Sequence, residues 1–219
     1  MPFNTPALNT MLDALDESAT QITHVGIATT AADPGVGTNH AATEATGGSP
    51  AYARQAVTWG AAASGQKTNS GSLTFDVPAG TYGYFLLFNA STGNTNNYRG
   101  YIPFGGASAL KGFASVDTTL TNDQFFSVAH GMSDGDRVIL YNVFSETIPS
   151  GVTEGTLYYV VSSATNTFKV STTLGGSAVD ITAAQGGEIY WQRIVPEVFA
   201  SQGQITVAAS ALVLDATAF

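Results

Sequence analysis

Beyond Ile22 the chain is cut into short apolar runs by clusters of Gly, Asn, Ser and Pro. A helix needs about ten residues of unbroken 3.6 period, so this punctuation leaves antiparallel strands as the main element. "ITHVGIA" (22–28) reads as the first strand, and "YARQAVTW" (52–59) alternates as a half-buried one. Residues 72–77 form another, which "PAG" stops, and 101–104 a short one. "YGYFLLFN" (82–89) is densely apolar, as a central strand covered on both faces requires. The tail, 204–207 and 211–214, adds two more strands joined by "AAS".

One helix precedes them. Ala7, Leu8, Met11, Leu12 and Leu15 share helical spacing, Thr5 is the expected N-cap, and Pro6 suits the first helical position. Such a helix should lie on a sheet or on a neighbouring subunit. The connection 29–50, "TTAADPGVGTNHAATEATGGSP", has almost no bulky side chain. A loop of that length is uncommon in a compact domain. Two readings stand for it, a surface arm ordered by a partner and a mobile loop.

Between Gly112 and Val195 the texture changes. Residues 124–129, 137–142, 156–161, 167–171 and 188–193 are five strand candidates with turns such as "SSATN" and "AAQGG". That number makes a small barrel or sandwich in its own right.

Charged residues are only 11 % of the 219, against roughly 25 % in ordinary globular domains. Outward polarity must come from Thr, Ser, Asn and Gln, which suits strands and also a subunit covered by neighbours. Seven Lys and Arg against sixteen Asp and Glu give a net charge of −9. No nucleic-acid partner is expected, because phosphate binding needs clustered cations. No attraction to an anionic membrane is expected either. There is no cysteine, hence no disulfide, thiolate metal site or thiol nucleophile. The N-terminal sequence lacks a basic n-region and an apolar h-region, and no stretch nears the length of a membrane span.

Catalytic chemistry has little support. "SVAHGMSDGDRVILY" (127–141) gathers a histidine, two aspartates and an arginine. A calcium loop of EF-hand type needs about a dozen residues with alternating oxygens, and this stretch is too short. The better reading is a hairpin: Phe126 and Val128 lead in, Gly131 to Gly135 turn the chain, and Val138 and Leu140 lead out. His130, Gly131, Asp134, Gly135 and Asp136 then form a turn signature. His24 sits mid-strand, and His40 has no second His or Cys at a zinc spacing. No serine lies in a nucleophile-elbow context, and the carboxylates are scattered singly. No catalytic residue, metal or cofactor is expected. The aromatics Tyr98, Tyr101, Tyr158, Tyr190 and Trp191 are candidate contacts to a glycan or a protein partner.

Four phrases, "ITHVGIATTAADPG", "GGSPAYARQAVTWGAA", "TFDVPAGT" and "SQGQITVAASALVLDA", carry a family resemblance. Over 22–110 and 197–216 the chain resembles the tail fibre and minor tail proteins of tailed bacteriophages. The middle, "HGMSDGDRVILYNV" with "GTLYYVVSSATNTFKVS", resembles a different small β module recurrent in phage virion proteins, over about 116–193. Together they imply an all-β protein: a jelly-roll-like antiparallel sandwich with an N-terminal helix, built from 1–114 and 195–219, and an inserted barrel or sandwich at 115–194. The implied function is that of a virion structural subunit, tail-associated, assembling with other virion proteins and as a homo-oligomer, a trimer being one form. A capsid decoration subunit and a host-surface glycan or receptor binder are the alternatives.

Overall fold

A computed structural model describes residues 4–16, 21–30, 34–35, 37–105, 111–116, 122–142, 147–183 and 188–216. They fall into two compact units, one holding the described residues up to 105 together with 196–216, the other those from 111 to 195. Helix α1 (Thr5–Asp13) is capped by Asn4, one residue earlier than expected, because the Asn4 side chain reaches the Ala7 amide at 3.0 Å. In chain order, the described strands are β1 (His24–Thr29), β2 (Gln55–Ala56), β3 (Gln66–Thr68), β4 (Leu73–Val77) and β5 (Gly80–Phe88). Then come β6 (Tyr98–Pro103), β7 (Lys111–Val116), β8 (Phe125–Phe126), β9 (Arg137–Asn142) and β10 (Leu157–Val161). The last are β11 (Thr167–Ser171), β12 (Ile189–Ile194), β13 (Glu197–Phe199), β14 (Gly203–Val207) and β15 (Val213–Asp215).

The first unit is built around β5. One edge of β5 pairs with β1, Val25 opposite Leu87 and Ile27 opposite Phe85, and β2 lies beyond β1. The other edge is shared end to end: β6 covers Tyr84 to Phe88, and β13 covers Gly80 to Tyr82. A second layer consists of two ribbons, β4 with β14 and β3 with β15, in place of the single second sheet of a jelly roll. The two tail strands therefore pair with β4 and β3, not with each other. Leu73, Phe75 and Val77 on β4 and Ile205 and Val207 on β14 point inward at period two, meeting Val25, Ile27 and Leu87. Trp59 closes this core, its Nε1–H donating to the Ile22 carbonyl at 2.9 Å.

Helix α1 buries Leu12 and leaves Met11 exposed. Polar contacts fix it to the 62–67 segment. Asn9 accepts from the Gly65 amide, and Asp13 accepts from the Ala62 amide and from Lys67 Nζ at 2.7 Å. That pairing accounts for a lysine buried in the sandwich, and it holds the Asp13 carboxyl below the usual carboxylate range.

The second unit is a closed barrel in the order β10, β11, β8, β7, β12, β9, with β9 returning to β10. Phe125 and Phe168 stack at 5.3 Å inside it, beside Trp191, Val138, Leu140, Val160 and Ile189. Two sequence expectations change here. The sixth strand, β7, begins at Lys111 and crosses the expected division between 114 and 115. A Cβ on Gly112 would stand 3.1 Å from the Trp191 ring, so a glycine lets this strand lie over the indole. The expected hairpin at 127–141 does not form. β8 pairs with β7 and β11, β9 pairs with β10 and β12, and the stretch between them crosses the barrel end. Among the described residues no helix is long and apolar enough to cross a membrane.

Candidate functional site

In the stretch that looks most catalytic, the histidine and both aspartates are occupied with structure. His130 is 4 % exposed, edge-on to Phe168 at 5.2 Å. Its Nδ1 accepts the Met132 amide at 3.1 Å, so Nε2 carries the proton and faces the carbonyls of Ala164 (2.7 Å) and Thr167 (3.1 Å). With both ring nitrogens engaged, it has no lone pair to offer a substrate or metal. Asp134 accepts the Ser163 amide at 2.7 Å. Asp136 accepts the Ser133 amide at 2.9 Å and faces Arg193 at 3.4 Å. Gly131 and Gly135 have φ of 68° and 90°, where a side chain is strained. Among the described residues no three His, Cys, Asp or Glu side chains stand close enough to hold a metal ion.

The five aromatic candidates divide between the two units, Tyr98 and Tyr101 in the first and Tyr158, Tyr190 and Trp191 in the second. Tyr98, Tyr158 and Trp191 are buried. Each polar tip is used internally: Tyr98 Oη donates to the Gly35 carbonyl, and Tyr158 Oη accepts the Thr153 amide. Trp191 Nε1 donates to Ser127 Oγ, which itself donates to the Phe113 carbonyl. Strand parity alone does not say which aromatic faces in, and these three face in. Tyr101 and Tyr190 are half-buried. Tyr101 meets Tyr84 edge-on at 5.7 Å. Tyr190 stands between Phe113 (5.8 Å) and Tyr141 (6.1 Å), and burial pushes its phenol above the ordinary value.

Sequence reading missed two sites. The first is an open cleft of about 470 Å³ on the barrel, lined by Lys111, Phe113, Ser115, Phe126, Val128 and Glu188 among others. Phe113 is 52 %, Phe126 46 % and Val128 71 % exposed. The signal was present in "KGFASV", where Phe113 shares outward parity with Lys111 and Ser115.

The second is a polar cluster on the other face of the β1–β5 sheet. Arg54 grips Glu44 through Nε and Nη2, both at 2.7 Å, and its remaining nitrogen donates to the carbonyls of Ala90 and Gly93. The guanidinium lies over Phe88, 3.3 Å from the ring centre. Tyr52 Oη donates to Glu44 and accepts the Ile27 amide. Burial, reinforced by the Glu44 carboxylate, pushes that phenol far above its ordinary value. His40 packs edge-on against Phe88 and Tyr98, and its backbone exchanges two hydrogen bonds with the Asn94 side chain. In the described part of the 29–50 connection, His40 and Glu44 are thus held by contacts within the chain. The clamp also cuts the expected strand 52–59 down to Gln55–Ala56, since Tyr52 and Arg54 turn into it. Gly26 makes room: a Cβ there would lie 2.8 Å from Glu44 Oε1. Glu44 is fully engaged, and the cluster's chemistry is that of a fastening.

No curated protein and no solved structure matches the chain. A family model does, over residues 3–131, from the helix through the clamp and β6 into the first two barrel strands. Its description is the podophage GP4 fiber I protein gp80. A sandwich with its polar groups spent on internal fastening suits a building part of a particle, and with more than half of its length matched, the chain belongs to this family of phage fibre proteins.

Proposed function

We propose that the protein is a tail-associated fibre subunit that acts by protein–protein assembly and not by catalysis. The observation that carries this is the family match over residues 3–131. The site chemistry agrees with it. His130, Glu44 and Asp136, the groups best suited to acid–base work, each have partners within the fold. The cations Arg54 and Lys67 are buried in ion pairs, so they offer nothing to an anionic ligand. Glycan recognition by the five aromatics loses ground because three of them are core. Labelled antibody against the protein should mark the tails of purified particles. Absence from mature particles refutes the proposal, and label on the head instead assigns capsid decoration.

A further inference from the structure

We infer that the outer face of β7 and β12 is a self-complementary docking surface, and that its occupant is the same face of a second copy of this chain. The register sets the pattern. Lys111 is opposite Gln192 and Phe113 opposite Tyr190, with Tyr141 beside Tyr190 on β9. One step beyond the Ile189–Ala114 pair, Glu188 stands at the far end next to Ser115, whose other neighbour is Phe126. An aromatic row, Phe113–Tyr190–Tyr141, thus crosses the middle of the face. An exposed cation marks one end and an exposed anion the other.

Phe113, Phe126 and Val128 are exposed together along one cleft, an apolar patch of the kind that marks an interaction site. The charges say what docks there. On a chain of net charge −9, a copy docks only where local charges are arranged to offset the long-range repulsion. Because β7 and β12 are antiparallel, Lys111 lies two residues before Phe113 and Glu188 two residues before Tyr190, at opposite ends. A two-fold axis lying between the two faces and running across the strands sets Lys111 of each copy at the Ser115–Glu188 end of the other. Each contact then contains two Lys–Glu pairs around a shared aromatic centre. A uniformly charged partner meets one favourable and one unfavourable end, so the pattern favours the chain itself.

This goes beyond the fibre assignment, and a different experiment reads it: location in the particle tests the fibre, solution mass tests the face. Light scattering after size exclusion should show the full chain passing from monomer to dimer with concentration. Lys111→Glu alone, and Glu188→Lys alone, should each weaken the dimer by about tenfold or more, since both pairs become like-charged. Mixing the two single variants should restore it, because the mixed dimer carries two opposite pairs again, and so should the double variant Lys111→Glu/Glu188→Lys. Restoration also proves that the single variants fold. A wild-type chain that stays monomeric, an oligomer indifferent to these charges, or a trimer as the smallest assembly overturns the inference.

Discussion

Glu44→Gln tests the clamp on the outer sheet face. The Arg54 side chain is 6 % exposed and that of Glu44 17 %, so the pair is shielded from solvent. Glutamine keeps the volume, removes the charge and turns an amide N–H₂ toward one of two guanidinium donors. Removing one partner of a buried pair costs roughly 3–5 kcal/mol, because the other charge is left uncompensated. Arg54 keeps the Ala90 and Gly93 carbonyls and the Phe88 face, which places the loss at the low end, about 3 kcal/mol. For a unit of this size that is about a 10 °C fall in Tm. The chain has two tryptophans, Trp59 in the sandwich core and Trp191 in the barrel core. In a Trp191→Phe background, urea unfolding followed by Trp59 fluorescence therefore reports the clamped unit. The double variant Glu44→Leu/Arg54→Met should recover most of the loss, since apolar replacement of both partners is nearly neutral. A loss below about 0.5 kcal/mol for Glu44→Gln, or a double variant no better than the single, refutes the reasoning.

Gly26→Ala should cost about 1–3 kcal/mol by the same readout, since its Cβ meets Glu44 Oε1 at 2.8 Å and Tyr52 Oη at 3.0 Å. His130→Ala, followed by Trp191 fluorescence, should destabilise the barrel by about 3 kcal/mol, because the Met132 amide and the Ala164 carbonyl lose their partner and a cavity remains. Burial, then the Arg54 charge, holds His24 below its ordinary pKa, so the unfolded chain takes up that proton first. Stability of the sandwich unit should therefore fall as the pH drops below about 6.5, and His24→Gln should flatten that part of the profile in urea titrations at successive pH values.

Strand parity and turn residues made most of the fold legible. Leu73, Phe75 and Val77 alternate cleanly on β4, and the apolar run on β5 marks a strand covered on both faces. What covers its second face was not legible, because Glu44 lies among small residues and Arg54 is its partner only through the fold. The 127–141 stretch misled for a related reason. Local turn chemistry identifies Gly131 and Gly135, yet which strands pair across them is decided by barrel closure. Aromatic type was no guide to exposure either: Trp191 is enclosed beneath Gly112, while Phe113, one residue along, faces out.

The edge shared by β6 and β13 permits a surgical test of how the chain carries its barrel. Pro103 lies opposite Tyr84, the Phe104 amide donates to the Gly83 carbonyl at 2.7 Å, and Glu197 lies opposite Tyr82. Three successive positions of β5 thus face 103, 104 and then 197, with no position skipped. Joining Phe104 directly to Glu197, with 105–196 deleted, should make one continuous strand from Tyr98 to Phe199 along β5. It should keep Phe199 against Tyr82, whose rings are 6.2 Å apart. The shortened chain should unfold cooperatively by Trp59 fluorescence, within about 3–4 °C of the sandwich unit in the full protein, since a 1 kcal/mol change moves Tm by about that much. Joining Phe104 to Val198 instead shifts the register by one, turns Phe199 to the opposite face, and should abolish that transition. If both splices fold equally well, the strand is not continuous in register. If neither folds, the sandwich depends on the barrel, and the insertion reading is wrong.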